Sequence, residues 1–452
     1  MDSVFCSPAE GLAGRRTTNM NREGTPPRGA TRHATKSSDL RGEASRTPAS
    51  VGRRPWRRQQ VRRLLALILG SLVAFGLLEV GLRWYDPFTL RIKANRIVLP
   101  VNERTVIHNH EIEKIDAEIV HTRNALGLRG LDPPADFDRF LTIVAVGGST
   151  TECYYLSDDK TWPEQMRLRL QRQFANVWVN NAGLDGHSTH GHQQLLVHYL
   201  GPLHPKLVLF LVGLNDVGNS EPNELDHELL ATGTGLSHRM YQGLVECSAT
   251  FSLWDNYRRC QQAKARGLVH GNVGHSQLVL SAERGPELAE ASRLELLALH
   301  EQEFIPVYEQ QLYNLIRLAK QLGIEPVLIT QPALYGPTID DVTKVDLSRI
   351  AVGQGNGGLL WQILDRYNDA TRRAGRQTGT LVVDLARTMP KSSRYFYDHH
   401  HFTNAGADLV GQLIADALET HLAAAYPTYR KTAPAGRELG NPESALDAVR
   451  SE

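Results

Sequence analysis

Residues Leu141–Cys153 read LTIVAVGGSTTEC, and the fold turns on them. Leu141, Ile143, Val144, Ala145 and Val146 make an apolar, mostly β-branched run, which predicts a strand buried on both faces. Gly147 and Gly148 end it, and the hydroxyl run Ser149, Thr150, Thr151 follows. An open parallel sheet keeps its ligand crevice at the carboxyl ends of its strands. Glycines at that point let the backbone turn sharply and let a substrate come close. Ser149 is therefore placed like a nucleophile, with main-chain N–H groups beside it. The plainer reading of GGST is a strand–turn–helix junction whose serine only caps the next helix.

Outward from this stretch, strand and helix patterns alternate. Trp162 to Phe174 is helical, with Thr161 as its cap and Pro163 near its start. Val177–Val179 make a second strand, which ends in NNAGLDGHS (Asn180–Ser188). A helix from His190 to Leu200 precedes a third buried strand, Leu207–Val212, and the turn Gly213, Leu214, Asn215, Asp216. Arg293 to Gln321 is a long amphipathic run with a break expected at Pro306. Pro326–Thr330 and Thr380–Asp384 are the fourth and fifth strands, Leu360–Thr371 a helix between them, and Ala405–Leu422 the last helix, capped by Thr403 or Asn404. Five strands interleaved with helices predict a doubly wound, flavodoxin-like α/β/α sandwich of three layers with a five-stranded parallel sheet. There is no internal repeat, Walker loop or GxGxxG, which argues against nucleotide binding.

The flanks differ in character. Residues 1–63 carry 14 Arg or Lys against 5 Asp or Glu, although the whole chain of 452 residues has a net charge of only +1. Residues 1–60 therefore read as a disordered, basic cytoplasmic tail. Its charge has no accompanying helical or aromatic pattern, so no nucleic-acid partner is expected. Leu64–Leu82 is a 19-residue apolar stretch broken only by Glu79, and the aromatic pair Trp84, Tyr85 follows it. That length suits one bilayer helix, assigned to residues 61–85. Arg53, Arg54, Arg57, Arg58, Arg62 and Arg63 crowd its amino side against Arg83 beyond it, which puts the N-terminus in the cytoplasm and the body outside the inner membrane. A cleaved signal peptide and a buried core helix are the alternatives. Residues 86–135 read as a juxtamembrane segment, 136–426 as the main domain with an insertion at about 217–290, and 427–452 as a flexible tail. The four cysteines include no CxxC pair, and Cys247 and Cys260 could form a disulfide.

Several polar groups follow strand ends. A serine hydroxyl needs a neighbouring imidazole to take its proton. The run Asp398, His399, His400, His401 after the fifth strand offers three, with Asp398 to orient the ring, and the residues alone leave the choice open. A metal cluster or a solvated turn is the competing reading of three adjacent histidines. Negative charge on an attacked carbonyl needs donors, and the Ser149 and Gly183 N–H groups and the Asn215 amide could form such an oxyanion hole.

In this order the pieces resemble the blocks of the SGNH/GDSL hydrolase superfamily. GGSTT (Gly147–Thr151) resembles the nucleophile block, NAGLDGHS the block carrying Gly183, GLND the block carrying Asn215, and DHHH the DxxH block. NALGLRG (Asn124–Gly130) and the N-terminal helix resemble the membrane-anchored, extracytoplasmic bacterial members. The resemblance selects His401 as base and Asp398 as its partner. It implies serine ester hydrolysis without metal or organic cofactor, on an O-acylated carbohydrate of the envelope or of exported polysaccharide. An O-acyltransferase on such a polymer, a lipid esterase and a non-catalytic membrane-anchored binding or assembly protein are the alternatives. The sequence leaves the oligomeric state open.

Overall fold

The computed structural model describes residues 54–85, 92–93, 96–97, 99–219, 236–265, 277–280 and 284–431. The tails expected at 1–60 and 427–452 lie outside the described residues except at 54–60 and 427–431, as does the Cys260 side chain. The chain divides into two compact units, Met1–Asp86 and Pro87–Glu452.

The first unit contains helix α1 (Arg54–Tyr85). Its segment Gln59–Trp84 is long and apolar enough to cross a membrane, and none of that apolar stretch is buried by protein. The one carboxylate inside the stretch, Glu79, pairs with Arg83 one turn on at 2.9 Å.

The second unit is built on six strands: β1 (Arg129–Gly130), β2 (Leu141–Gly147), β3 (Val177–Asn181), β4 (Leu207–Val212), β5 (Glu325–Thr330) and β6 (Leu381–Val383). Their order in the sheet is β6-β5-β4-β2-β3-β1. Neighbours from β6 to β3 run parallel, while β1 pairs antiparallel with β3 through Arg129 opposite Asn181 and Gly130 opposite Asn180. The sheet is therefore mixed and six-stranded, not the five-stranded parallel sheet the sequence predicts. The added edge is only two residues long, too short for any period to register. Residues 99–135, within the segment 86–135 read from sequence as juxtamembrane, belong to the same compact unit as the main sheet.

Every residue of β2 and β4 is buried, as their unbroken apolar runs require. Side chains alternate between two cores. Ile143 and Ala145 face α3 (Trp162–Gln173) and α10 (Asn404–Ala425), through Met166, Leu170, Val410 and Ile414. Val144 and Val146 face α4 (Thr189–Leu195), α8 (Ile305–Gln321) and α9 (Gly357–Thr378), through Leu195, Leu315, Tyr367 and Ala370. Each fully buried apolar side chain of this size contributes about 1.5–3 kcal/mol. The insertion supplies helices α5 (Leu236–Cys247) and α6 (Ala249–Ala265). Helix α7 (Glu290–Leu299) reaches α8 through a π-helical turn at His300–Phe304, which absorbs the break expected at Pro306.

Thr403 caps α10: its Oγ1 accepts from the Gly406 N–H at 3.0 Å and donates to the Arg394 carbonyl at 2.8 Å. The cap lies two residues beyond His401, so it anchors the loop that carries the histidines. Thr161 is the N-cap residue of α3 as expected, but its hydroxyl donates to the Asp158 carbonyl and accepts no helix N–H. We expect Thr403→Ala to cost about 1 kcal/mol or somewhat more, and Thr403→Ser to recover most of it. Urea unfolding of the purified protein is the measurement.

Candidate active site

Strand β2 delivers Gly147 and Gly148 to the carboxyl edge of the sheet, and α2 (Ser149–Glu152) begins at once. As the first residue of a helix, Ser149 has an N–H with no partner inside it. Its Oγ lies 2.8 Å from His401 Nε2, and His401 Nδ1 lies 2.6 Å from Asp398 Oδ2. A carboxylate only accepts, so Nδ1 carries the ring proton, and Nε2 is left to accept from the serine hydroxyl. Asp398 Oδ1 accepts the backbone N–H groups of His400 and His401 at 2.9 and 2.7 Å. The imidazole is buried and stacks on Tyr397, with centroids 5.6 Å apart and planes at 14°. Its orientation is thus set from an edge and a face.

The neighbouring histidines are placed differently. His399 Nε2 lies 3.0 Å from the Ala351 carbonyl, and His400 packs beside His401 at 4.3 Å between centroids. Asp398, His400 and His401 do hold ligand atoms within 4.8 Å of one another. A metal ion there would compete for His401 nitrogens that already face Asp398 and Ser149.

Asn215 sits in the turn after β4, and its Nδ2 donates to the His187 carbonyl at 3.0 Å. An amide nitrogen has two hydrogens, so one remains. A Cβ at Gly148 would stand 2.2 Å from that Nδ2 and 3.4 Å from the His187 carbonyl. Three chain segments therefore meet beside Ser149, and a side chain at 148 would have to displace the Asn215 amide. Asp216 next door holds the start of α4: its Oδ1 accepts the Thr189 N–H at 3.0 Å and hydroxyl at 2.7 Å. Full burial pushes its pKa up to about 6, the Thr189 bonds opposing the shift.

Gly183 is placed otherwise than the sequence predicts. Its N–H donates to Asn181 Oδ1 at 2.8 Å, and a Cβ there would stand 2.2 Å from the Glu152 nitrogen. Its lack of a side chain lets the loop pack against α2, while its N–H is already used. The same loop turns at Leu184–His187, with the His187 N–H on the Leu184 carbonyl at 3.1 Å and Gly186 at a φ of +72°. Asn181 was missed from sequence as a site residue. The Asn180-Asn181 pair at the end of an apolar strand was the available signal.

A model of the GDSL-like Lipase/Acylhydrolase family matches residues 145–409. The chain belongs to this family. No curated protein matches it. Among solved structures it is similar to Axe2, an acetylxylan esterase from Geobacillus stearothermophilus, at 13% identity and a TM-score of 0.33, covering 61% of this chain and 93% of that one. It is likewise similar to a GDSL-like lipase from Bacteroides thetaiotaomicron, at 14% identity and a TM-score of 0.32, covering 65% of this chain and 93% of that one. The family's hydrolytic chemistry agrees with a serine, an imidazole and a carboxylate in series at a strand end.

Gly148→Ala tests the meeting of the three segments. The added methyl must displace the Asn215 amide, the movable end of a side chain, so the fold should survive. Activity on a small aryl ester should fall by about 10²-fold, as when one oxyanion donor is removed, and Asn215→Ala should cost about the same. Steady-state kinetics beside circular dichroism would check both variants.

Proposed function

We propose that the protein is a serine ester hydrolase in which Ser149 is the nucleophile, His401 the general base and Asp398 the residue that orients and stabilises the imidazolium. The observation that carries this reading is the continuous series Ser149 Oγ–His401 Nε2 and His401 Nδ1–Asp398 Oδ2, at 2.8 and 2.6 Å. Ser149 Oγ attacks the acyl carbonyl while His401 Nε2 takes its proton, and the carbonyl oxygen becomes an oxyanion. The Ser149 N–H and the free hydrogen of the Asn215 amide receive it. For the third donor we assign the Gly186 N–H, which makes no hydrogen bond among the described residues, rather than Gly183, whose N–H is spent on Asn181. Collapse of the intermediate expels the alcohol, protonated by His401, and leaves an acyl-enzyme. His401 then takes a proton from water as the hydroxide oxygen adds to the acyl carbonyl, and collapse of this intermediate returns the proton to Ser149 Oγ and releases the acid. No step requires a metal or organic cofactor.

The substrate class we assign is an O-acylated carbohydrate of the cell envelope or of exported polysaccharide. Support comes from α1, which would tether the body at the membrane surface, with the arginine-rich side of the helix in the cytoplasm and the body outside.

Ser149→Ala and His401→Ala should each bring hydrolysis of an aryl acetate to a similar low floor, and the double variant should fall little further, since such residues act as a unit. Asp398→Ala should be impaired equally or less, and His399→Ala and His400→Ala far less. A fluorophosphonate should label the wild type at Ser149. Activity that survives Ser149→Ala and is lost to a chelator would overturn the mechanism.

Topology is tested separately. Protease added to intact spheroplasts should digest the body and spare the N-terminal tail. Full protection of the body would refute the orientation, and its release without detergent would point to a cleaved signal.

A further inference from the structure

Glu152 closes the GGSTTE run and is almost wholly buried, at 1% exposure. A buried carboxylate is costly unless it is paired and hydrogen-bonded. Here both oxygens are used, on opposite sides. Oε1 accepts from Arg123 Nη2 at 2.8 Å, and Oε2 accepts the Asp185 N–H at 2.7 Å. Arg123 is buried at the end of the strand Glu118–Arg123, just ahead of NALGLRG. Asp185 lies in the turn that carries Gly186 and His187. One carboxylate thus ties the helix begun by Ser149 to the loop whose His187 carbonyl holds the Asn215 amide.

The turn that follows Glu152 is fastened separately, by Arg129 in β1, at 2% exposure. Nη1 donates to the carbonyls of Glu152 and Cys153 at 2.5 and 2.9 Å. Nη2 donates to the Leu156 carbonyl and to Asp158 Oδ1, both at 2.7 Å, and Nε to Asp158 Oδ1 at 2.9 Å. All five guanidinium hydrogens are spent, which a lysine could not reproduce. The turn it grips contains Cys153 at a φ of +51°, a left-handed conformation unfavourable for a residue with a Cβ.

We propose that Glu152 is a positioning residue for ester hydrolysis: held between Arg123 and the Asp185 N–H, it sets the oxyanion loop at a fixed distance from Ser149, on a turn that Arg129 locks. Glu152 never meets the substrate. It acts through the loop, so its loss should reduce the rate of the chemical step and leave ground-state binding almost unchanged. The inference rests on the serine reading given above.

The turn Leu184–His187 supplies a narrow test. Asp185 occupies its second position and Gly186, at positive φ, its third, as in a type II turn, where proline is favoured at the second position. Asp185→Pro therefore removes the N–H that Glu152 accepts while suiting the turn, and Asp185→Ala removes the side chain and keeps the N–H. With the full chain in detergent micelles, kcat and KM on an aryl acetate and the rate of reaction with a fluorophosphonate would be measured for both, and for Glu152→Gln. Asp185→Pro should lie about 10-fold or more below Asp185→Ala in kcat and in labelling rate, with KM within about threefold, the scale of a small misplacement of reacting groups. Glu152→Gln should show the same split between kcat and KM; should it fail to fold, the Asp185 pair decides. Equal rates for Asp185→Pro and Asp185→Ala, with the wild type reactive, would overturn this inference alone. A wild type that neither turns over nor reacts at Ser149 would overturn the serine reading and this inference with it.

Discussion

A hydrogen bond of 2.8 Å joins Ser149 to His401 across 252 residues of sequence, and the site exists only where the fold can hold that distance. The parallel sheet makes it possible. Ser149 leaves the carboxyl end of the central strand β2, and the histidine loop follows β6 at the sheet's edge, so both emerge on one side. Helix α10, capped two residues after His401, then fixes the height of the loop against the sheet.

Around that bond, the geometry is kept by buried polar groups and by the absence of side chains. Arg129, Glu152, Asn181 and Asp216 each join segments that are remote in sequence. Gly148 and Gly183 allow those segments to approach more closely than any Cβ would permit. Such a network has little slack, because each buried charge or donor is costly when its partner moves. Asp216 shows the tension: Thr189 satisfies one of its oxygens, yet burial still raises its pKa to about 6.

The long elements were legible in the residues. Strand β4 was expected at Leu207–Val212 and spans those residues, and the last helix, expected at Ala405–Leu422, runs from Asn404 to Ala425. Their patterns repeat over enough residues to separate a period of 3.6 from an unbroken apolar run. Strand β1 has two residues, and Arg129 in it is buried through five hydrogen bonds that no local pattern announces. The π-helical turn at His300–Phe304 was hidden for a similar reason, since Pro306 marks a break without saying how the helix absorbs it.

By itself the sequence determined the alternation of strand and helix, the placement of Ser149, Asn215, Asp398 and His401 after strand ends, and an apolar N-terminal helix long enough for a bilayer. These follow from composition and period along the chain, which are local properties. Only the tertiary structure decided that the Gly183 N–H is taken by Asn181, and that Arg123 and Arg129 hold the turn behind the nucleophile. Those are choices among hydrogen-bond partners brought together by folding. A donor's partner depends on distance and angle at the fraction of an ångström, and neither is written in the order of residues.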